Sequence, residues 1–205
     1  MFRSISNFVS YICHPLLMPF YATAMVFRLN TYLSYHLPQQ VQWMLLALVF
    51  VSTFVFPVLF ASFMVQKGMV GSLTMENQHE RKIPFIATIL FYFIAFFLVR
   101  RFPLPGFFSL IILGSALVVV LAFLINLKWK ISIHTMGTGG MCGLVYWLTE
   151  IQLLHSVIPF VLLILVSGIV GTARLISGSH TQLQIYVGYF IGFATLLLVM
   201  KLRLQ

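Results

Sequence analysis

Arg174 and His180 stand with five residues between them in a polar island, Ala173 to Gln184, set between two long apolar runs. Their types suit work on an anion. A guanidinium presents a planar fork of donors that fits phosphate oxygens, and it keeps its proton at neutral pH. An imidazole titrates near neutrality and can serve as nucleophile or base. Charge at the edge of a bilayer is expensive and is usually kept for a function. Two other polar stretches carry similar groups. One is Ser132 with His134, just after Lys128-Trp129-Lys130; the other is Arg81 within Glu76-Asn77-Gln78-His79-Glu80-Arg81-Lys82.

The composition decides where such chemistry takes place. The 205 residues are 61% hydrophobic and 7% charged, with a mean hydropathy of +1.05. Soluble domains carry roughly 25% charged residues. The chain is therefore expected to be an integral membrane protein: one membrane domain over 1–205, all-α, a polytopic bundle of about six or seven transmembrane helices. Lys and Arg together number 12 against 3 acids, and aspartate is missing. Sites for Mg²⁺ or Ca²⁺ need several oxygen ligands, so carboxylate-rich sites of that kind are nearly excluded. No cofactor is expected. The net charge of +9 suits anionic membrane lipids. Basic residues scattered singly between spans argue against nucleic acid as a partner. Cys13 and Cys142 lie far apart in apolar surroundings and read as packing residues rather than a disulfide.

Residues 1–13 place Phe2, Ile5, Phe8, Val9 and Ile12 opposite Arg3, Ser4, Ser6, Asn7 and Ser10. That is the pattern of an interfacial amphipathic helix, or of the start of the first span. A cleaved signal peptide is the competing reading, from the small residues Ala22-Thr23-Ala24; apolar sequence beyond Ala24 argues against it. Seven apolar segments follow, at about 15–35, 43–65, 84–100, 107–127, 131–149, 156–173 and 182–200. If all seven cross, the stretches after the second, fourth and sixth share one membrane face, and these are the three polar stretches. Gly139 with Gly143, and Gly188 with Gly192, have the small-xxx-small spacing of closely packed helices. His14, His36, His79 and His155 have no ligand spacing and read as interfacial. A positive-inside count puts the polar stretches in the cytoplasm; with the phosphate-facing residues left out, the two faces are about even.

Ala173-Arg174, five residues, His180, three residues and Gln184 form a pattern with Ser132-Ile133-His134 and Arg81-Lys82-Ile83-Pro84 before it. In this the chain resembles the type 2 phosphatidic acid phosphatase superfamily, whose motifs are K-x6-R-P, P-S-G-H and S-R-x5-H-x3-D, over about residues 74–188. The resemblance implies a hydrolase, a membrane lipid phosphatase of lipid metabolism. His180 would attack phosphorus and form a phosphohistidine, and His134 would protonate the leaving alkoxide. Arg81, Ser132 and Arg174 would hold the phosphoryl oxygens. It also implies a metal-independent reaction on a lipid-linked phosphate or diphosphate, on the outer face of a bacterial inner (plasma) membrane.

The chain departs from the pattern at several positions. The first-motif lysine falls at Thr74, and Lys82, Lys128 or Lys130 is left to supply that charge. Ile131 and Ile133 replace the Pro and Gly of the second motif, and Ala173 replaces a Ser. Gln184 stands where the family has Asp. One helical turn beyond His180, its amide oxygen can accept the imidazole N–H and fix the tautomer, but it cannot pair ionically with an imidazolium. Glu80 or Glu76 is the available substitute charge. The alternative is a catalytically weakened lipid-phosphate binder, or a small transporter, using the same basic pocket.

Overall fold

This computed structural model describes residues 2–29, 37–71 and 79–202, and every regular element among them is helical. Helix α1 (Phe2–Ile12) stops at Pro15, because the residue before a proline is pushed out of the helical region. His14 is accordingly extended, at φ −63° and ψ 132°. A short 3-10 turn, Pro15–Leu17, leads into α2 (Met18–Arg28). Helices α3 (Gln39–Phe50) and α4 (Phe56–Gln66) form one rod joined by a π-helical stretch, Val51–Val55. Pro57 accounts for that bulge. It has no N–H to donate and its ring crowds the carbonyl four residues back, so the ladder widens around it and Phe56 N–H bonds to Val51 O. Then come α5 (Lys82–Val99), α6 (Phe107–Asn126), α7 (Ile133–Glu150), α8 (Ile158–Ile176) and α9 (Gln182–Lys201).

Among the described residues six stretches are long and apolar enough to cross a membrane: Ser4–Arg28, Gln39–Gln66, Lys82–Val99, Phe107–Asn126, Ile158–Ile176 and Gln182–Lys201. The chain is thus a polytopic helical membrane protein. Two boundaries differ from the sequence reading. The first span begins near Ser4 rather than near residue 15 and takes in α1, which is the second of the two readings of residues 1–13. The fifth apolar segment, α7, is not among the six. Its composition follows from its place at the centre of the bundle, packed against α9, α8, α6 and α2. A helix covered by other helices needs small side chains for close approach, whereas a lipid-facing one needs large apolar ones. Gly139, Gly140, Cys142, Gly143, Leu144 and Val145 of α7 are all buried.

Helices α7 and α9 touch backbone to backbone. A Cβ at Gly192 would land on the Met136 carbonyl, and one at Gly139 on the Tyr189 carbonyl. Further along, Gly143 lies against the Phe193 carbonyl and Gly188 against Ser132. Position rises along both chains together, so the two helices run parallel. Lys201 Nζ and Glu150 Oε1, 2.9 Å apart, meet at the far end. Such an exposed pair is worth about 0–1 kcal/mol, so it marks the register more than it holds it. Ile111, Ile112, Leu144 and Leu148 close the core between α6 and α7 with no accessible surface.

Replacing Gly192 with Ala should push α7 and α9 apart and destabilise the fold by about 1–3 kcal/mol, as overpacking does. Gly168→Ala, where an added Cβ meets nothing within 4 Å, should be neutral or slightly stabilising. Thermal unfolding midpoints in detergent check the contrast.

Candidate functional site

The parallel pairing sets the N-terminal ends of α7 and α9 side by side, and the antiparallel α8 delivers its C-terminal end to them. Each end has its own local cause. Ser132 caps α7: its Oγ accepts from Thr135 N at 3.5 Å and its carbonyl accepts from Thr135 Oγ1 at 3.0 Å. The residue is fully buried, so its hydroxyl is engaged in holding the helix start that carries His134. Between Arg174 and His180 the chain must leave α8, reverse and begin α9. Gly178 makes the reversal at φ +65°, a backbone region that side chains resist. Gly178 N–H bonds to Leu175 O at 2.9 Å and Ser179 N–H to Arg174 O at 3.2 Å. Thr181 then caps α9 in a capping box with Gln184. The five intervening residues are the length of that turn.

His180 is half-buried just ahead of α9. Its Nδ1 lies 3.1 Å from Gln184 Oε1. An amide oxygen only accepts, so Nδ1 carries the proton and Nε2 presents its lone pair. The same Oε1 accepts from Thr181 N–H at 3.1 Å, so Gln184 serves the helix cap and the imidazole together. Burial pushes the His180 pKa down to about 4; the Gln184 bond acts upward, and the charges of Arg174, Lys130 and Arg81 act downward. The ring is therefore neutral at pH 7.

Arg174, in the last turn of α8, gives Nη1–H to Ser10 Oγ at 3.0 Å. Its Nε is buried and has no hydrogen-bond partner among the described residues. Ser10 also takes His134: its carbonyl lies 3.2 Å from His134 Nε2, which must be the protonated nitrogen because a carbonyl only accepts. The His14 ring stands edge-on to the His134 ring, with centroids 5.9 Å apart. His14 Nδ1 accepts from Leu16 N–H at 3.3 Å. Arg174, His14 and His180 are close enough for their charges to act on His134. Arg81, half-buried at the start of α5, acts on both Arg174 and His180. Burial lowers its own pKa from the usual arginine value.

All six residues singled out from the sequence thus belong to one end of the bundle, with His134, His180, Arg174 and Arg81 electrostatically coupled. Ser132 and Gln184 sit in helix caps. Lys130 is the lysine whose charge reaches His180. The Glu80 carboxylate lies beside Gly71, while Thr74 and Glu76 fall outside the described residues. His14, expected at the interface without a role, instead joins the imidazole cluster, and Ser10 bridges it to Arg174. Sequence spacing carries no trace of either, because Ser10 and His134 are 124 positions apart. Among the described residues no group of three or more His, Cys, Asp or Glu could hold a metal ion.

Compared with known proteins, the chain matches no family model, no curated protein and no solved structure. Its functional reading therefore stands on this geometry.

The folded His180 binds its proton more weakly than an ordinary histidine of pKa 6.5. Between about pH 6.5 and 4 the unfolded chain holds more protons at this residue, so its contribution to stability is full above 6.5 and fades as pH falls through 4. An NMR titration of the His180 ring should give a midpoint near 4. Arg174→Gln, which removes a repelling charge, should raise it; an unmoved midpoint would separate the two groups.

Proposed function

We propose that this protein is a membrane phosphatase that hydrolyses a lipid-linked phosphate or diphosphate through a phosphohistidine at His180. The carrying observation is the His180–Gln184 pair, which leaves Nε2 as the unprotonated nitrogen within the electrostatic reach of Arg174 and Arg81. Nε2 attacks phosphorus and the P–O bond to the lipid breaks. His134, in its protonated form, gives a proton to the departing alkoxide. A water then attacks the phosphohistidine, yielding its proton to His134, and phosphate leaves with His180 restored. Arg174 and Arg81 neutralise charge on the phosphoryl oxygens. Ser10 supports this reading, because its carbonyl and hydroxyl oxygens already hold donors of His134 and Arg174 that phosphate oxygens would take. Arrival of a phosphate dianion favours protonation of nearby imidazoles, which supplies His134 with its acidic proton. The resemblance to the type 2 phosphatidic acid phosphatases supports a site on the outer face of a bacterial inner membrane.

Gln184 favours a second reading. A neutral amide shared with the Thr181 cap stabilises an imidazolium less than a carboxylate does. This suits a protein that binds a lipid phosphate and turns it over slowly or not at all.

Purified protein should release phosphate from a panel of lipid phosphates in the presence of a chelator. His180→Ala should abolish release, and His134→Ala should lower it by about 10²–10⁴. Gln184→Glu keeps the reach of the amide and adds a charge, so it should raise turnover. Release that survives His180→Ala removes the phosphohistidine. Binding without release in the wild type, lost in Arg174→Gln, establishes the binder.

A further inference from the structure

Helix α1 is tied to the bundle through the same groups that the proposed reaction uses. Ser10 turns two oxygens toward them. Its carbonyl accepts from His134 Nε2–H at 3.2 Å, and its Oγ accepts from Arg174 Nη1–H at 3.0 Å. The Ser10 hydroxyl proton is spent within α1, on Ser6 O at 2.9 Å, so a lone pair faces the guanidinium. Two oxygens of one residue thus meet one guanidinium and one imidazole, as two oxygens of a phosphoryl group would. A single N–H serves one acceptor well, so Ser10 and a phosphate compete for these donors.

The rest of the attachment of α1 is sparse. The helix packs on α8, and a groove of about 400 Å³ opens between the two. Ile5, Phe8, Tyr11 and Ile12 are exposed on its other side. Ser6 Oγ–H clips it to the Ala173 carbonyl. Its C-terminal end is pinned, since the Ile12 carbonyl accepts from the Tyr21 hydroxyl of α2 at 3.0 Å. Just beyond lies a break: His14 is extended and Pro15 has no N–H to continue the helical ladder. The helix is therefore a short rod, anchored beside a joint and clipped along its length by two serines.

We infer that α1 is an autoinhibitory strap: Ser10 competes with the phosphate group for His134 and Arg174, and α1 swings at His14–Pro15 when the anion binds. The inference rests on the reading of His134 and Arg174 as phosphate-binding groups and adds a control on them. Apparent affinity is the intrinsic affinity reduced by the fraction of molecules in the competent state. Loosening a strap therefore tightens anion binding, whereas loosening a support of Arg174 weakens it. The sign of the effect separates the two roles of Ser10. Ser6 sharpens the contrast, because it bonds to Ala173 and to neither His134 nor Arg174. The Ala173 carbonyl also accepts from Ser177 N–H at 3.1 Å, so Ser6→Ala strands no buried carbonyl.

The test is calorimetric titration of the full chain in detergent with orthovanadate. Ser10→Ala should lower the dissociation constant by about tenfold and Ser6→Ala by about fivefold, the net worth of one hydrogen bond to a charged and to a neutral group. Weaker binding in Ser10→Ala, or unchanged binding in Ser6→Ala, overturns the strap. A second measurement reads the motion itself. Nitroxides at Phe8→Cys and Tyr186→Cys, exposed positions on α1 and α9, are placed in a chain carrying Cys13→Ser and Cys142→Ser. Their separation should change when vanadate saturates the site; a fixed separation overturns the strap. Tight binding lost in Arg174→Gln but indifferent to both serines keeps the anion site and removes the strap. No binding in the wild type or in either serine variant removes the site, and the strap with it.

Discussion

The carbonyl oxygens of Met136 and Tyr189 lie where a side chain at 192 or 139 would have to begin. This contact between the backbones of α7 and α9 is the constraint on which the polar end depends. Helices in a bilayer gain little from the hydrophobic effect when they meet, since lipid tails are as apolar as their side chains; close van der Waals packing must hold them. Glycines along one face of each helix provide it. Because the pairing is parallel and in register, the caps at Ser132 and Thr181 come to the same end. A slip of one turn, about 5.4 Å, would move His180 away from His134.

The second constraint is electrostatic. Arg174 and Arg81 sit half-buried near one another, Arg174 close to His14, His134 and His180 and Arg81 close to His180. Holding cations this way is unfavourable unless oxygen atoms face them. Helix α1 supplies one such oxygen, Ser10 Oγ on Arg174. Its Ser6 and Ser10 turn inward to Ala173 and Arg174, while Ile5, Phe8, Tyr11 and Ile12 are exposed. Ser4 and Asn7 of the same stripe are exposed, so only the Ser6–Ser10 edge of the polar face is turned to the protein. The stretch belongs to the first span, which begins at Ser4, and its Ser10 is part of the candidate site.

Much of the architecture was legible because a bilayer demands long apolar helices and leaves few other solutions. The glycine pairs signalled close helix packing, which proves to be between α7 and α9, and the Arg174–His180 spacing corresponds to a helix reversal at Gly178. The centre of the bundle was harder to read. Helix α7 is the least lipid-like of the long helices because other helices cover it. The site was legible where two groups share a turn, as His180 and Gln184 do. It was hidden where they meet across the chain. His14 looked like a helix breaker because Pro15 follows it, and Ser10 looked like one of several polar residues on a surface stripe. The packing of α1 on α8 joins Ser10 to Arg174, and the packing of the Pro15–Leu17 turn on α7 sets His14 against His134. Ser132 and Gln184 show a different limit: a motif position in a sequence does not distinguish a ligand from a helix cap, and here both residues cap.

In the proposed function an imidazole from one helix start and a guanidinium from another helix end share a single anion. Orthovanadate adopts the five-coordinate geometry of phosphoryl transfer, and transition-state mimics bind more tightly than substrates. Calorimetric titration of the detergent-solubilised protein with orthovanadate should show one site per chain, lost both in His180→Ala and in Arg174→Gln. Binding indifferent to both substitutions, or two sites of which each substitution removes one, would contradict it.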